Sequence, residues 1–354
     1  MLTVEMLPAE HGDCLWVEYG DPGRPSVLLI DGGTGAAATT GRLGRRIADR
    51  LGQDHPAALA VVTHVDADHI TGVLDLLEAP GGGPPFAQVW FNGWEHLAPG
   101  VRGPVQGERL GDAIRRRGLP WNASFDGRAV VVAEEGPLPV VDLPGDLRLT
   151  LLSPSPAQLA ELQPVWEREV REAGLVPGAA PPPPAPAAPE VLGEGPLDPE
   201  KLAAGRFSGD PSEANGSSIA FLAEHDGASV LFTGDAFAGV LAQGLRRLAA
   251  ERGTRRVPVD AFKVSHHGSR NNLSPELLDV LDCPRFLFST NGRRYRHPDA
   301  VAVSRIVVGT SAAELLFNYR TRYTEPWEEP RLRRRFGYQT RYPADGASGL
   351  TLQL

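Results

Sequence analysis

Four residues that commonly bind metal ions occur within six positions of this sequence: His64, Asp66, Asp68 and His69. They follow the apolar run 58–62, which we expect to be a buried strand. In an extended segment residues 64, 66 and 68 point to one side, and a turn at 68–69 brings the last two to a second point nearby. This arrangement suits two neighbouring cations. The alternative is a polar loop in which Asp68 caps the next helix, but a cap would explain only one of the four residues.

Two further groups of candidate ligands follow apolar strands later in the chain. Asp235 follows the predicted strand 228–233, and a carboxylate there can bridge two cations, although an aspartate at such a junction is commonly a helix cap. His266 and His267 follow the predicted strand 259–264. Adjacent histidines point in different directions, so one can bind metal while the other lines the pocket. The residues alone do not favour either histidine.

The elements that position these side chains alternate between strands and helices. Apolar runs bounded by turn residues predict strands at 2–6, 14–19, 26–30, 58–62, 87–91, 129–132, 147–152, 217–224, 228–233, 259–264, 285–289, 313–317 and 348–353. Helical periodicity predicts helices at 40–51, 69–78, 106–118, 156–173, 236–251, 274–281 and 298–308. The pattern indicates a sheet core with helices outside and ligand residues on loops at strand ends.

Composition narrows the class of protein. With 42% hydrophobic and 22% charged residues over 354 positions, the chain is neither disordered nor a multi-span membrane protein. A net charge of -9 gives no overall attraction to nucleic acid or anionic membranes, although local basic patches remain an option. The two cysteines cannot form a disulfide framework. Because the first residues lack signal-peptide features and no long apolar run occurs, we expect a soluble, cytoplasmic protein.

We predict one domain over residues 1–354, with two irregular segments. Residues 175–205 contain four consecutive prolines and are predicted to form a linker or surface insertion, which offers a docking site for a protein partner. From about residue 318 the chain is predicted to be an extension rich in arginine and aromatic residues. The arginines within 331–335, with Tyr and Trp residues nearby, are a local indication of a nucleic-acid surface.

The motif His64-x-Asp66-x-Asp68-His69-x-x-Gly72, followed by Thr-Gly-Asp235 and His266-His267-Gly-Ser, resembles the metallo-β-lactamase superfamily. The order of motifs is more closely similar to the hydrolase domain of ComEC-type competence proteins and their stand-alone relatives. Supporting segments are Gly12-Asp13-Cys14, Asp31-Gly-Gly, Asn215-Gly-Ser-Ser218 and Tyr295-Arg-His297-Pro298. The resemblance implies an α/β fold, a four-layer αβ/βα sandwich of two mixed β-sheets with helices on the outside.

The resemblance also implies a dinuclear metal site. By motif, one cation would be held by His64, Asp66 and Asp235, and the other by Asp68, His69, Asp235 and one histidine of the 266–267 pair. The superfamily's commonest pattern has histidines where this chain has Asp66 and, in mid-chain, Asn215 or Ser217. Replacing imidazole by carboxylate makes the first site richer in oxygen and moves its preference from Zn²⁺ toward Mn²⁺ or Mg²⁺. We therefore predict two divalent metal ions, Zn²⁺ or Mn²⁺, with Mg²⁺ as a further candidate.

These features predict a metal-dependent hydrolase, and we favour a phosphodiesterase or nuclease. Two cations lower the pKa of a bridging water, so that hydroxide is available near neutral pH. The candidate catalytic residues are Asp68, Asp235 and His297. His297 is suited to protonate a leaving group or to contact phosphate. The alternative for His297 is a structural role at the start of a helix. Candidate substrate-binding residues are Asn215, Ser217, Ser269, Arg270 and Asn271. The alternative for the last three is a plain polar loop.

Two alternative functions stay open at this point. One is a hydrolase of a small-molecule ester, lactone, thioester or phosphorylated metabolite, and the other is a non-catalytic metal-binding module. An open basic groove beside the metals would favour a nuclease, whereas a closed apolar pocket would favour the small-molecule hydrolase. The expected partner is accordingly a nucleic acid or a small phosphodiester, and no membrane.

Overall fold

The computed structural model describes residues 1–80, 86–97, 105–172, 197–344 and 347–354. The strands are β1 Leu2–Met6, β2 Leu15–Tyr19, β3 Ser26–Ile30, β4 Leu59–Val61, β5 Val89–Trp90, β6 Val140–Leu143, β7 Leu147–Ser153, β8 Ala220–His225, β9 Ala228–Phe232, β10 Val257–Pro258, β11 Ala261–Lys263, β12 Leu281–Asp282, β13 Arg285–Phe288, β14 Glu314–Phe317, β15 Gln339–Arg341 and β16 Leu350–Gln353. The helices are α1 Ala37–Arg50, α2 Ala67–Glu78, α3 Trp94–Leu97, α4 Val105–Arg116, α5 Pro156–Glu172, α6 Pro199–Ala203, α7 Glu213–Gly216, α8 Ala238–Glu251, α9 Pro275–Asp279, α10 Ala300–Gly309 and α11 Pro330–Phe336.

Two large mixed sheets form the centre of the fold. The first has the order β16-β1-β2-β3-β4-β5, and the second has the order β15-β14-β13-β11-β9-β8-β7-β6. In the first sheet β3, β4 and β5 run parallel, and in the second β9, β11, β13, β14 and β15 run parallel. The loops that follow these parallel strands therefore lie at the carboxyl ends of each sheet, where ligand sites form in α/β folds.

The two sheets pack face to face, and helices cover their outer faces. One hydrophobic cluster joins residues of the first sheet, such as Val17 and Leu28, to residues of the second, such as Phe221 and Phe286. A second cluster joins the other face of the first sheet to helices α2, α4 and α5. Helices α8, α9 and α10 contribute apolar residues to the cluster of the second sheet. This arrangement is the predicted αβ/βα sandwich of two mixed sheets with helices on the outside.

Most predicted elements are present, with one clear exception. No strand forms at 129–132, because the backbone there makes other hydrogen bonds: Asn92 accepts from the N–H of Val130 at 2.8 Å, and the N–H of Val132 donates to the carbonyl of Pro154. Strand β7 pairs antiparallel with β6 on one side and β8 on the other. The sequence analysis also missed β15, whose side chains are mostly exposed and show no apolar alternation.

The two segments predicted to be irregular contain ordered elements. Within 175–205, residues 175–196 lie outside the described ranges, but residues 199–203 form α6, which packs against α10 and whose N-cap Asp198 accepts from the N–H of Lys201. The linker prediction therefore extended too far. After residue 318, β15 joins the second sheet and β16 joins the first. Trp327 and Tyr338, two of the aromatic residues near the arginines of 331–335, are buried and therefore not available to a nucleic-acid surface.

Helix α2 crosses the loop after β3 at a pair of glycines. A Cβ atom added to Gly72 would overlap the carbonyl oxygen of Gly32, and one added to Gly32 would overlap the backbone N of Val73. The N–H of Gly32 donates to the carbonyl of His69 at 2.8 Å. Side chains are thus excluded at this crossing, which brings the start of α2 against the loop that carries Asp31.

We expect Gly72→Ala to lower the free energy of unfolding by about 2–3 kcal/mol, because a methyl group would force the helix and the loop apart. Urea unfolding measures this change. The matched control is Gly239→Ala in α8, where an added Cβ meets no atom within 4 Å. This variant should be slightly more stable than the wild type, because alanine favours a helix more than glycine does. Equal effects at the two positions would contradict the close-approach argument.

Within the described part of the chain, no helix combines the length and the apolar character needed to cross a lipid bilayer.

Candidate metal centre

Loops from both sheets converge on one group of carboxylates and imidazoles. The segment after β4 carries His64 and Asp66 and runs into α2, whose first turn contains Asp68 and His69. Asp235 follows β9 in the second sheet. Asp66, not Asp68, is the N-cap of α2, and its side chain makes no cap hydrogen bond. The capping alternative for Asp68 is therefore wrong, and both aspartates are available to the cluster.

Asp235 lies at the centre of the group. Its Oδ1 is 3.4 Å from Nε2 of His69. Its Oδ2 is 3.9 Å from Nε2 of His64, 3.7 Å from Nε2 of His266 and 3.9 Å from Nε2 of His267. Four imidazoles thus surround one carboxylate at distances longer than direct hydrogen bonds, and the two oxygens of that carboxylate face different histidines.

Asp66 and Asp68 extend the cluster on either side. Asp66 Oδ2 is 3.7 Å from Nε2 of His64, and its side chain is 42% exposed, so this end of the cluster opens to solvent. Asp68 Oδ2 is 3.6 Å from Nε2 of His267, and its side chain is only 12% exposed. The seven residues predicted as metal ligands are therefore brought together in two adjoining groups that share Asp235.

The residues present fit divalent cations, because several buried polar atoms in the cluster have no hydrogen-bond partner. Among the described residues these atoms include Nε2 of His64, His69 and His267, and Oδ1 of Asp235. Burying such atoms unpaired is costly, and native proteins rarely leave several of them together. Imidazole nitrogen and carboxylate oxygen are also the donors that Zn²⁺ and Mn²⁺ accept. Convergence of these atoms on one point is what a metal centre requires.

Asp31 orients His69 directly and His64 through Thr63. Its Oδ2 lies 2.8 Å from Nδ1 of His69 and also accepts from the Thr63 hydroxyl at 2.8 Å. That hydroxyl lies 3.0 Å from Nδ1 of His64. Contacts of this kind at Nδ1 fix the ring orientation and direct Nε2 toward a metal. Asp31 is fully buried, and its φ of 57° places it in a left-handed turn, so the loop after β3 directs its carboxylate at the two rings.

We expect Asp31→Asn to weaken metal binding by roughly 10- to 100-fold, because the amide no longer holds the His69 ring with a charge-assisted bond. Competition with a chelating dye measures the affinity. Asp21→Asn, in the exposed turn where Asp21 accepts from the N–H of Gly23, is the matched control and should leave it unchanged. Equal metal affinities for the two variants would show that Asp31 does not orient the ligands.

The histidine pair lies on strained backbone. His266 has φ 48° and His267 has φ 55°, both in the left-handed region that non-glycine residues rarely occupy. This tight turn after β11 allows two adjacent rings to face Asp235, contrary to the expectation that they point apart. Such strain typically costs about 1–3 kcal/mol per residue and is concentrated at functional sites.

A buried ion pair supports His267. Nζ of Lys263 lies 2.7 Å from Oδ2 of Asp13, and both side chains are 1% exposed. Oδ1 of Asp13 lies 3.3 Å from Nδ1 of His267, which also lies 3.0 Å from the carbonyl oxygen of Ser289. Asp13 has ligand atoms close to those of His69, Asp235 and His267, all within 4.8 Å of one another. Because Lys263 already neutralises Asp13, we assign Asp13 to orientation of His267.

The electrostatics of the cluster favour added positive charge. Burial lowers the pKa of His69, but the Asp235 and Asp31 carboxylates outweigh burial and raise that pKa well above its usual value. Burial likewise lowers the pKa of His266, and Asp235 and Asp210 raise it to about 9. Burial raises the pKa of Asp235, but the surrounding histidines have the larger combined effect. The pKa of Asp235 is therefore well below its usual value. The ionised carboxylates of this site therefore favour bound cations, and metal ions would supply the positive charge.

His297 lies beside the cluster. Its ring is 5.4 Å from that of His266 and 6.1 Å from that of Tyr295, between centroids, and Nδ1 is 3.6 Å from Oδ1 of Asp299. Burial lowers the pKa of His297, and the Asp299 charge only partly opposes it. A largely neutral imidazole is therefore present at the edge of the site.

The mid-chain candidates differ in their surroundings. Asn215 is buried, donates to Oδ2 of Asp210 at 2.7 Å and lies 3.3 Å from Nδ1 of His266. Asp210 Oδ2 is itself 3.2 Å from that Nδ1, so Asp210 and Asn215 together hold His266. The Ser217 hydroxyl donates to the carbonyl of Ala214 at 2.6 Å, which is a bond within the turn.

The loop after the histidine pair mainly fixes its own backbone. The Ser269 hydroxyl accepts from the N–H of Asn271 at 3.2 Å. The N–H of Arg270 donates to Oδ2 of Asp299 at 2.8 Å, which ties this loop to the partner of His297. The side chains of Arg270 and Asn271 line a cavity of about 450 Å³ with Arg206 and Arg305. Their predicted role in binding substrate stays a prediction.

Sequence reasoning missed the residues that orient the ligands: Asp13, Asp31, Thr63, Asp210 and Lys263. One signal was available, because Lys263 is a charged residue within an apolar strand directly before the histidine pair, and a buried lysine needs a buried anion. The segments of Asp13 and Asp31 supported the resemblance, but glycines beside an aspartate are typical of turns and indicate no orienting role for either carboxylate. For Asp210 the local sequence carries no comparable signal.

Comparison with known proteins gives similarity to solved structures only. No protein-family model matches the sequence. No curated protein matches it either. A variant of the CmlA β-hydroxylase is 13% identical to this chain, with a TM-score of 0.43. The match covers 100% of this chain and 54% of CmlA, so the chain spans about half the length of that protein. Zn²⁺-bound PqqB from Methylobacterium extorquens is 14% identical with a TM-score of 0.44, and the match covers 100% of both chains. We therefore base function on the geometry of the site.

Proposed function

We propose that this protein is a metal-dependent hydrolase, and specifically a phosphodiesterase or nuclease with two divalent cations. The observation that carries the proposal is the set of unpaired, buried donor atoms from both sheets that converge on Asp235. A purely structural polar cluster would pair these atoms with one another, since buried polar groups are nearly always hydrogen-bonded.

The ligands fall into two groups. His64, Asp66 and His266 would hold one cation, Asp68, His69 and His267 would hold the other, and Asp235 would contact both. When bound, the two cations supply an activated water and stabilise the charge on the phosphoryl oxygens. Asp31, Asp13 and Asp210 hold three of the histidine rings in place through contacts at Nδ1.

His297 is placed to bind substrate. It lies next to His266, and because its pKa is lowered it carries a neutral imidazole near neutral pH. A neutral ring donates one N–H, so we assign His297 a hydrogen bond to a phosphate oxygen in preference to general-acid catalysis.

A phosphodiester substrate suits the charge at the mouth of the site. Arg293, Arg294 and Tyr295 are exposed and precede His297 by a few residues. Arginines clustered here, in a chain with a net charge of -9, favour an anionic substrate over a neutral ester.

The test is hydrolysis by chelator-stripped protein after separate addition of Mn²⁺, Mg²⁺ or Zn²⁺. Substrates are bis(p-nitrophenyl) phosphate and labelled single- and double-stranded DNA and RNA. Asp68→Ala should lose the activity, and Asp226→Ala, in the exposed turn between β8 and β9, should retain it. Hydrolysis only of an ester, lactone or thioester panel would replace the proposal with the small-molecule alternative. Metal binding with no hydrolysis of any substrate would favour the non-catalytic module.

A further inference from the structure

We propose that a groove beside the metal centre binds a single-stranded nucleic acid, with arginines on its phosphates and tyrosines on its bases. This inference rests on the proposed phosphodiesterase function and names its substrate class. The groove lies between two segments, 291–293 and 319–323, which are separate in sequence and adjacent in space.

The groove encloses about 560 Å³ and is lined on one side by Asn291 and Arg293 and on the other by Tyr319, Arg322 and Tyr323. The two segments touch where Gly292, at φ 67°, leaves room for the ring of Tyr323. The backbone N–H of Glu10 donates to the Tyr319 hydroxyl at 2.9 Å, and the N–H of Asn291 donates to the carbonyl of Glu10 at 2.6 Å. Both walls are thus fixed to the loop between β1 and β2.

The cations at the groove differ in their partners: Arg320 pairs with Glu328, and Glu10 also lines the groove. Within the described ranges, the guanidinium groups of Arg293, Arg294 and Arg322 form no ion pair with an acidic residue. Arg294 lies over the Tyr295 ring at 5.2 Å, and Arg322 lies over the Tyr323 ring at 4.8 Å and donates to its hydroxyl. In an acidic chain, unneutralised arginines collected on one surface indicate a site for a polyanion.

Aromatic side chains interleave with these cations. Tyr295 is 38% exposed, and Tyr319 and Tyr323 are partly exposed in the groove wall. Base faces stack on such rings, and the bases of a single strand are free to do so, whereas those of a duplex are already stacked on one another. The combination of arginine and tyrosine therefore favours a single strand.

One short loop links the groove to the metal centre. Tyr295 stacks with His297 at 6.1 Å and meets His11 edge-on at 5.7 Å, and His297 contacts His266 of the cluster. Residues 291–297 thus form one short loop, with groove-lining Arg293 near one end and the cluster-facing His297 at the other. A strand in the groove would bring a phosphodiester to the cations.

The test is the affinity for labelled single strands of about twelve nucleotides, dT or rU, measured by fluorescence anisotropy with Ca²⁺ in place of the catalytic cations. Arg293→Glu with Arg322→Glu should weaken binding at least tenfold. It should also lower the slope of log affinity against log salt by about 1.4, since each phosphate contact to a single strand contributes about 0.7. Matched control variants Arg128→Glu with Arg255→Glu, both exposed and outside the groove segments, change the net charge equally and should have much smaller effects.

Hydrolysis of bis(p-nitrophenyl) phosphate separates this inference from the proposed function. If the groove variant keeps this activity and loses strand affinity, the inference is supported, and the dT and rU arms identify the sugar. Equal strand affinity of the groove and control variants would overturn it while leaving the function intact. Tighter binding of a duplex, or equal competition by poly-glutamate, would overturn the single-strand assignment. Absence of phosphodiester hydrolysis by the wild-type protein would overturn the proposed function instead.

Discussion

Asp235→Asn should reduce the metal-dependent hydrolysis rate, as kcat/KM, by at least about 10³-fold, which corresponds to roughly 4 kcal/mol of transition-state stabilisation. Asp235 is the only carboxylate that approaches histidines on both sides of the cluster among the described residues, through Oδ1 to His69 and Oδ2 to His64. Asparagine keeps the shape but offers one neutral oxygen in place of two charged ones. The substitution should also reduce the bound metal from two ions per chain to one or none, as measured by elemental analysis.

Asp226→Asn is the control for Asp235→Asn, because the same chemical change is made in an exposed turn of the same sheet. It should retain activity and metal content. An Asp235→Asn variant that binds two metals and hydrolyses at the wild-type rate would remove Asp235 from the metal centre, and with it the observation that carries the proposed function.

Lys263→Met should lower the free energy of unfolding by about 3–5 kcal/mol, because it leaves the Asp13 carboxylate buried without its counter-charge. Methionine keeps much of the length of the lysine stem, so packing is affected little. The burial of both side chains makes this effect much larger than that of a surface pair. Urea unfolding with unchanged m-value measures it, and Arg246→Met, which removes an exposed pair with Glu276, should change stability little.

The double variant, Asp13→Asn with Lys263→Met, tests whether the two side chains act as a pair. Because neither charge is left alone, the double variant should be destabilised by about 1–3 kcal/mol less than the sum of the single variants. Strict additivity would mean that the pair is not formed in solution. A cost of Lys263→Met below about 1 kcal/mol would lead to the same conclusion.

The local sequence determined the chemistry of the metal ligands and most of the elements that carry them. The spacing from His64 to His69 after an apolar run predicted a strand, a turn and a helix, and β4 and α2 are present as expected. Both signals are local: apolar periodicity reports which face of an element is buried, and motif spacing reports which side chains share a turn. For the same reason the alternation of strands and helices predicted a sheet core with helices outside, whereas the four-layer sandwich was implied by the resemblance.

Tertiary structure decided which groups support the ligands and where a substrate can bind. Asp13 and Lys263 are 250 residues apart and meet only because the loop between β1 and β2 reaches the end of β11. The groove combines residues of 291–293 with residues of 319–323, and neither segment shows a groove alone. Sequence periodicity carries no information on such pairings, because they depend on how the two sheets pack and on which strand ends lie side by side. Tertiary structure also brought both His266 and His267 toward Asp235, since their left-handed backbone is fixed by the loops around it.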